Sequence, residues 1–272
     1  MLKQRLLTAL VLGALVVWGV LALPSAAFGA VLFLVLLVGA DEWLGLVGLR
    51  SLAERAGGFA VLAALIGAGA LLPNSVGWGL VVLGAGFWVL ALAWLARFAC
   101  APERRDGRTR WLAAGAVALA APWCALYLLH RSPAWGPGYV LLLLVLVWAA
   151  DSGAYFAGRR WGRTKLAPAI SPGKTREGVY GALAAAAVVA VIGAWVLGVA
   201  PLRWLPFLLV CLATVLFSIS GDLLESMLKR QHGAKDSGRL LPGHGGVLDR
   251  IDSLTAAAPV FVCGLWLGEV AR

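Results

Sequence analysis

Nine apolar runs dominate the sequence, at about residues 6–23, 25–40, 57–72, 76–96, 111–129, 138–157, 178–199, 204–228 and 252–270. A run of roughly 18 or more apolar residues can cross the hydrocarbon core of a bilayer as a helix. In lipid every backbone N–H and C=O needs a partner within the protein, which leaves only helices and closed barrels. Barrel strands alternate apolar and polar residues, and these runs do not. The expectation is an all-α, polytopic integral membrane protein of about nine transmembrane helices. Composition agrees, because a chain that is 61% hydrophobic and 13% charged has too little charge to cover a water-soluble globule. The first run has the outline of a signal peptide, with Lys3 and Arg5 before it and Ser25-Ala26-Ala27 after it. It is long for a signal core and is read as a true span.

The formal charge of +10 is first a topology signal. With a cytoplasmic N-terminus, all of the 23 Lys and Arg except Arg131, Arg203 and Arg272 fall on the cytoplasmic side, as the positive-inside rule requires. That predicts a bacterial inner-membrane protein with its chemistry facing the cytoplasm. Most of these cations are read as anchors near anionic lipid, and no nucleic acid is expected as a partner. The 4 cysteines, Cys100, Cys124, Cys211 and Cys263, have neither metal-ligand nor disulfide spacing and read as small core residues. Asp41, Glu42 and Trp43 lie at an expected interface, either as anchors or, as the less favoured reading, with a functional role. One membrane domain over 1–272 is expected, with a helical scaffold over 1–135 that carries little motif content. The chemistry is expected over 138–272.

Two segments, 158–177 and 229–251, are long for a compact membrane protein and rich in Gly, Pro and charge, and long loops of this kind carry function. Asp151 ends the apolar run before the first. A carboxylate at that depth needs a partner or a wet cavity. It is either a mate for Arg159 or Arg160 or a site residue. Further on, Ser171-Pro172-Gly173-Lys174-Thr175 loosely resembles a phosphate-binding loop, although it lacks the first glycine of the P-loop pattern. A helix start is expected at 175–178, where backbone N–H groups face an anion.

Before the second segment, Ser218, Asp222, Glu225 and Lys229 are spaced to share one helical face. A polar stripe on an apolar helix faces protein or water rather than lipid. It is either a buried network that locks helices together or one wall of a polar cavity. Asp249 and Asp252, three residues apart, would share a face as the last span begins. With Asp222 they give three carboxylates able to converge on a hard cation, and Mg²⁺ suits such oxygen ligands together with substrate phosphates. His244, between Gly243 and Gly245-Gly246, is either a turn residue or a group poised at a ligand; His232 reads as a surface histidine.

Hard-metal carboxylates, several cations and glycine-rich turns suit phosphoryl or nucleotidyl transfer, which depends on positioning and charge neutralisation. A site walled by spans would take one soluble nucleotide and one membrane lipid. The run from Ser226 through Leu228-Lys229-Arg230, Lys235-Asp236, Gly238, Leu241-Pro242, His244-Gly245-Gly246-Val247 and Asp249-Arg250-Ile251-Asp252 resembles the long signature of the phosphatidate cytidylyltransferases, with no departure from it. The stretch from Asp151 to Gly178, including Ser171-Pro172, Lys174-Thr175 and Glu177-Gly178, resembles that family's other cytoplasmic segment.

The resemblance implies that CTP and phosphatidate react to give CDP-diacylglycerol and pyrophosphate. It implies Mg²⁺, with or without a monovalent partner ion, and a homodimer. Asp222 and Asp249 are the leading metal ligands, with Asp252 beside them. Lys229, Arg230, Lys235, Asp236, His244 and Arg250 join those three as catalytic candidates. Asp151, Arg160, Ser171, Lys174, Thr175, Gly245 and Gly246 are the substrate-binding candidates. Rival readings are a polyprenol kinase or ether-lipid synthase using CTP, or an anion transporter. A transporter should carry broken helices in two corresponding halves, whereas the polar content here lies in the C-terminal half.

Overall fold

Runs of Leu, Ala, Val and Gly with no water to satisfy their backbone close their own hydrogen bonds as helices, and that is what the chain does. The computed structural model describes residues 2–71, 73–101, 106–238, 240 and 245–268, with side chains from Leu10 onward. The helices among them are α1 (Leu2–Ala22), α2 (Ser25–Leu46), α3 (Leu52–Leu71), α4 (Asn74–Cys100), α5 (Arg108–Arg131), α6 (Gly136–Trp161), α7 (Arg176–Val196), α8 (Trp204–Gln231) and α9 (Leu248–Leu267). Eight of these are long and apolar enough to cross a membrane, all but α1, whose described apolar part is Leu10–Ala22. The nine expected spans thus appear as nine helices, with α2 running further than expected to include Asp41, Glu42 and Trp43.

The most buried helix is α5, packed against α2, α3, α4, α6 and α9. Its Trp111, Ala125 and Leu129 are fully enclosed. Buried side chains from α1 through α9 form one continuous core. Outward faces stay apolar, as at Trp18, Leu90, Val188 and Trp195, because lipid rather than water surrounds them. Small residues let helices approach where packing alone must hold them. A Cβ on Gly153 of α6 would lie 2.5 Å from the carbonyl oxygen of Gly181 on α7. One on Gly221 of α8 would strike the backbone oxygen of Asp252 on α9. The pairs α6–α7 and α8–α9 are therefore tight antiparallel units, and they bring the two charged segments to the same end of the bundle.

Between α6 and α7 the chain forms a small antiparallel hairpin, β1 (Lys165–Ala167) and β2 (Ser171–Thr175), with Lys165 opposite Thr175 and Ala167 opposite Ser171. The expected phosphate-type loop is therefore a strand: Ser171, Pro172, Gly173 and Lys174 lie along β2. The two-stranded ribbon tolerates Pro172 because edge strands can spare an N–H donor. The expected helix start is present. Thr175 is the N-cap of α7, its Oγ1 accepting the N–H of Gly178 at 3.1 Å. Ile170 at the hairpin turn is buried, and its carbonyl accepts Arg230 Nε at 3.3 Å.

Candidate functional site

Asp151, Tyr155 and Arg159 recur every four residues along α6 and so share one face. That face, the strand β2, the first turn of α7 and the middle of α8 enclose a cavity of about 480 Å³. Its polar lining is Asp151, Tyr155, Arg159, Lys174, Thr175, Asp222 and Ser253. Lys174 Nζ lies 2.6 Å from Asp222 Oδ2, with the two side chains 25% and 33% exposed. Asp222 Oδ1 accepts Ser226 Oγ at 3.2 Å, and Arg159 donates to the hydroxyl of Tyr155 at 2.8 Å. A larger groove, about 1030 Å³, runs along α4 and α5. Its charged lining is Arg97, Arg110 and one acid, Asp106, which is already paired with Arg110 at 2.5 Å. The smaller cavity brings two acids, Asp151 and Asp222, together with Arg159 and Lys174.

Behind that cavity the polar stripe of α8 turns inward. Ser218 is buried and donates to the carbonyl of Val215. Glu225 is 2% exposed. Its Oε2 accepts Lys229 Nζ at 2.9 Å, while Oε1 is buried with no hydrogen-bond partner. Lys229 Nζ also reaches Asp249 Oδ1 at 2.7 Å. Asp249 Oδ2 accepts the N–H groups of Gly246 at 2.8 Å and Ser237 at 3.1 Å. Asp252 Oδ1 accepts the N–H of Ser253 at 2.6 Å. The stripe is thus a locking network at one end and a cavity wall at Asp222.

Asp222, Asp249 and Asp252, expected to converge on one cation, are held by different partners. Among the described residues no group of three or more His, Cys, Asp or Glu is arranged to hold a metal ion. The reason is local: Lys174 draws Asp222 toward the cavity, while Lys229 and two backbone donors hold Asp249 in the first turn of α9, outside the cavity lining. The donor chemistry still suits a hard divalent cation. Asp222, Glu225 and Asp249 each meet a lysine ammonium, and one buried carboxyl oxygen of Glu225 has no hydrogen-bond partner, so cationic charge fits here.

The other expected residues are placed as follows. Arg230 tethers the hairpin through Ile170. Lys235 and Asp236 are exposed, and Arg250 is exposed at the head of α9. Gly245 has φ +85°, a left-handed conformation that favours glycine, and Gly246 is buried beside Asp249. Ser171 pairs with Ala167 and does not line the cavity. Arg160 is exposed away from it. His244 lies outside the described residues. Sequence reasoning passed over Tyr155 and Ser253, and it read Arg159 only as a mate for Asp151 and Glu225 only as part of the polar stripe. The four-residue spacing from Asp151 could have selected Tyr155 and Arg159 over Arg160.

Fold and site together define a polytopic membrane protein with a charged cavity at one end of its helices. A family model described as "Cytidylyltransferase family" matches residues 3–267, and the chain belongs to that family. It is 45% identical to a phosphatidate cytidylyltransferase of Pseudomonas aeruginosa over 98% of this chain and 97% of that protein. Identity to the protein of the same name from Brucella suis is 41%, over 94% of this chain and 90% of the relative. A third, from Haemophilus influenzae, is 53% identical over 48% of this chain and 46% of its own length.

Proposed function

We propose that the chain transfers CMP from CTP to phosphatidate, giving CDP-diacylglycerol and pyrophosphate, at the cytoplasmic face of a bacterial inner membrane. The observation that carries this reading is the ion pair of Lys174 and Asp222 in a cavity walled by spans, in a chain so similar to phosphatidate cytidylyltransferases. An oxygen of the lipid phosphate attacks the α-phosphorus of CTP; the bond from that phosphorus to the β-phosphate oxygen breaks, and pyrophosphate leaves with the electron pair. The lipid phosphate is already ionised near neutral pH, so the step needs no strong general base.

The difficulty is bringing two polyanions together, and the chain's cations address it. Arg159 and Lys174 face the cavity and would bind and orient phosphate oxygens. Lys229 and Arg230 hold the adjoining wall in place through Asp249 and Ile170. Asp222 and, from the head of α9, Asp249 and Asp252 would hold Mg²⁺, which would have to displace the ammonium groups of Lys174 and Lys229 now paired with Asp222 and Asp249. When bound, Mg²⁺ neutralises charge building on the leaving pyrophosphate. Tyr155, Phe156 and Trp161 are exposed around the last turns of α6, aromatic rings suited to a lipid–water boundary, where phosphatidate could approach with its acyl chains still in the bilayer. The proposal extends to a homodimer as the working form.

The test is product analysis with CTP labelled at the α-phosphate. Label in the lipid, pyrophosphate release and arrest by EDTA are expected. Transfer of the γ-phosphate to an alcohol lipid instead would replace this reading with a kinase.

A further inference from the structure

The first N–H groups of a helix have no partners within it and need acceptors. Val247, the N-cap of α9, supplies none from its own side chain. The acceptor comes from the other half of the chain. Glu42, near the end of α2, accepts Val247 N–H at 3.0 Å through Oε1 and Leu248 N–H at 2.7 Å through Oε2. Oε2 also accepts the hydroxyl of Ser237 at 3.0 Å. The fit is close. A Cβ on Gly246 would strike Ser237 Oγ and lie 2.5 and 2.6 Å from the two Glu42 oxygens, and one on Gly238 would strike the same carboxylate.

The segment Glu42 grips is the one that seats Asp249. Ser237 gives its hydroxyl to Glu42 and its N–H to Asp249. Gly246, pressed against Glu42, gives its N–H to Asp249. Asp249 in turn holds Lys229. Two carboxylates from opposite ends of the sequence thus clamp one stretch of loop between them. We propose that Glu42 is a positioning residue for the transfer reaction, fixing the Ser237 and Gly245–Leu248 backbone so that Asp249 and Lys229 keep their places. It touches no reacting atom in this scheme. The inference rests on the cytidylyltransferase reading above.

The experiment compares wild type, Glu42→Ala, Ser237→Ala and Gly246→Ala in full-length, detergent-purified protein. It measures kcat and the KM for CTP with labelled CTP and phosphatidate, and amide hydrogen exchange over residues 245–250. Losing a charged acceptor for three donors should lower kcat in Glu42→Ala by about ten- to a hundredfold, with the KM for CTP within about threefold of wild type. Exchange at 245–250 should accelerate while α5 stays protected. In the Glu42→Ala/Gly246→Ala double variant, Gly246→Ala should cost clearly less than in wild type, because the obstructing carboxylate is gone and the Ser237 hydroxyl, no longer held by it, can swing aside.

Wild-type kcat in Glu42→Ala, or strictly additive effects in the cycle, overturns the proposal. Should Glu42→Ala fail to fold, Ser237→Ala removes only one donor and must still lower kcat by about threefold at an unchanged melting temperature; unchanged kcat there is equally fatal. If wild type itself transfers no CMP, the activity reading fails instead. Exchange at 245–250 then decides the clamp: acceleration in Glu42→Ala supports it, and wild-type protection refutes it.

Discussion

Replacing Lys174 by Gln tests the centre of the proposed mechanism. Its ammonium lies 2.6 Å from Asp222, and bare Coulomb attraction at an effective dielectric of about 20 would be roughly 6 kcal/mol. Both side chains are a quarter to a third exposed, so desolvation and screening leave about 1 kcal/mol of net stability. Folding should therefore survive the substitution. Catalysis should not. A cation about 4 Å from a phosphate oxygen contributes about 4 kcal/mol at the same dielectric, and about half that after allowing for exposure. That corresponds to a fall in kcat/KM for CTP of roughly 30- to 1000-fold. The assay is turnover of labelled CTP in detergent micelles across a Mg²⁺ titration, beside a thermal melt. Because Asp222 loses its competing ammonium, half-saturation by Mg²⁺ should shift to lower concentration. Turnover within threefold of wild type, in a variant that melts normally, would show that Lys174 handles no phosphate and refute the argument.

Two further outcomes are expected. Asp249→Asn breaks a pair whose side chains are only 12% and 10% exposed, so both a loss of activity and a stability loss of about 3 kcal/mol should follow; a normal melting temperature would mean that Lys229 finds full compensation in Glu225. Asp106, in the segment before α5, is pushed up by burial but pulled down further by Gln231, Trp94 and Arg110, so its carboxyl sits below the usual value of 3.8. A depressed folded-state value stabilises above the unfolded one and loses that effect as pH falls through the folded one. Melting temperature should therefore drop more steeply below about pH 4 in wild type than in Asp106→Asn, and identical slopes would exclude the link.

The spans were legible because a bilayer imposes a length and a composition on each of them. The start of α7 was legible because Thr175 is a good capping residue at the right place. The hairpin was not: Ser171-Pro172-Gly173 has poor strand propensity, and only pairing with Lys165–Ala167 and the tether from Arg230 make it one. Nor was the separation of Asp222 from Asp249, which follows from which lysine each carboxylate meets across helices. Glu42 carried no local sign of its role, since its partners at Val247 and Leu248 lie 205 and 206 residues away in sequence. Trp43 beside it, whose indole N–H donates to the carbonyl of Trp111 at 2.9 Å, shows the same long reach.

The unbroken course of α8 has a consequence for how a water-loving and an oil-loving reactant could meet. Asp222 is nine residues short of the end of this 28-residue helix, so it sits about 13 Å below the tip. Lifting acyl methylenes out of oil costs about 0.8 kcal/mol each. On the proposed chemistry, a rigid rod that carries its acid down toward the headgroups spares the fat that journey, and the soluble nucleotide makes the descent.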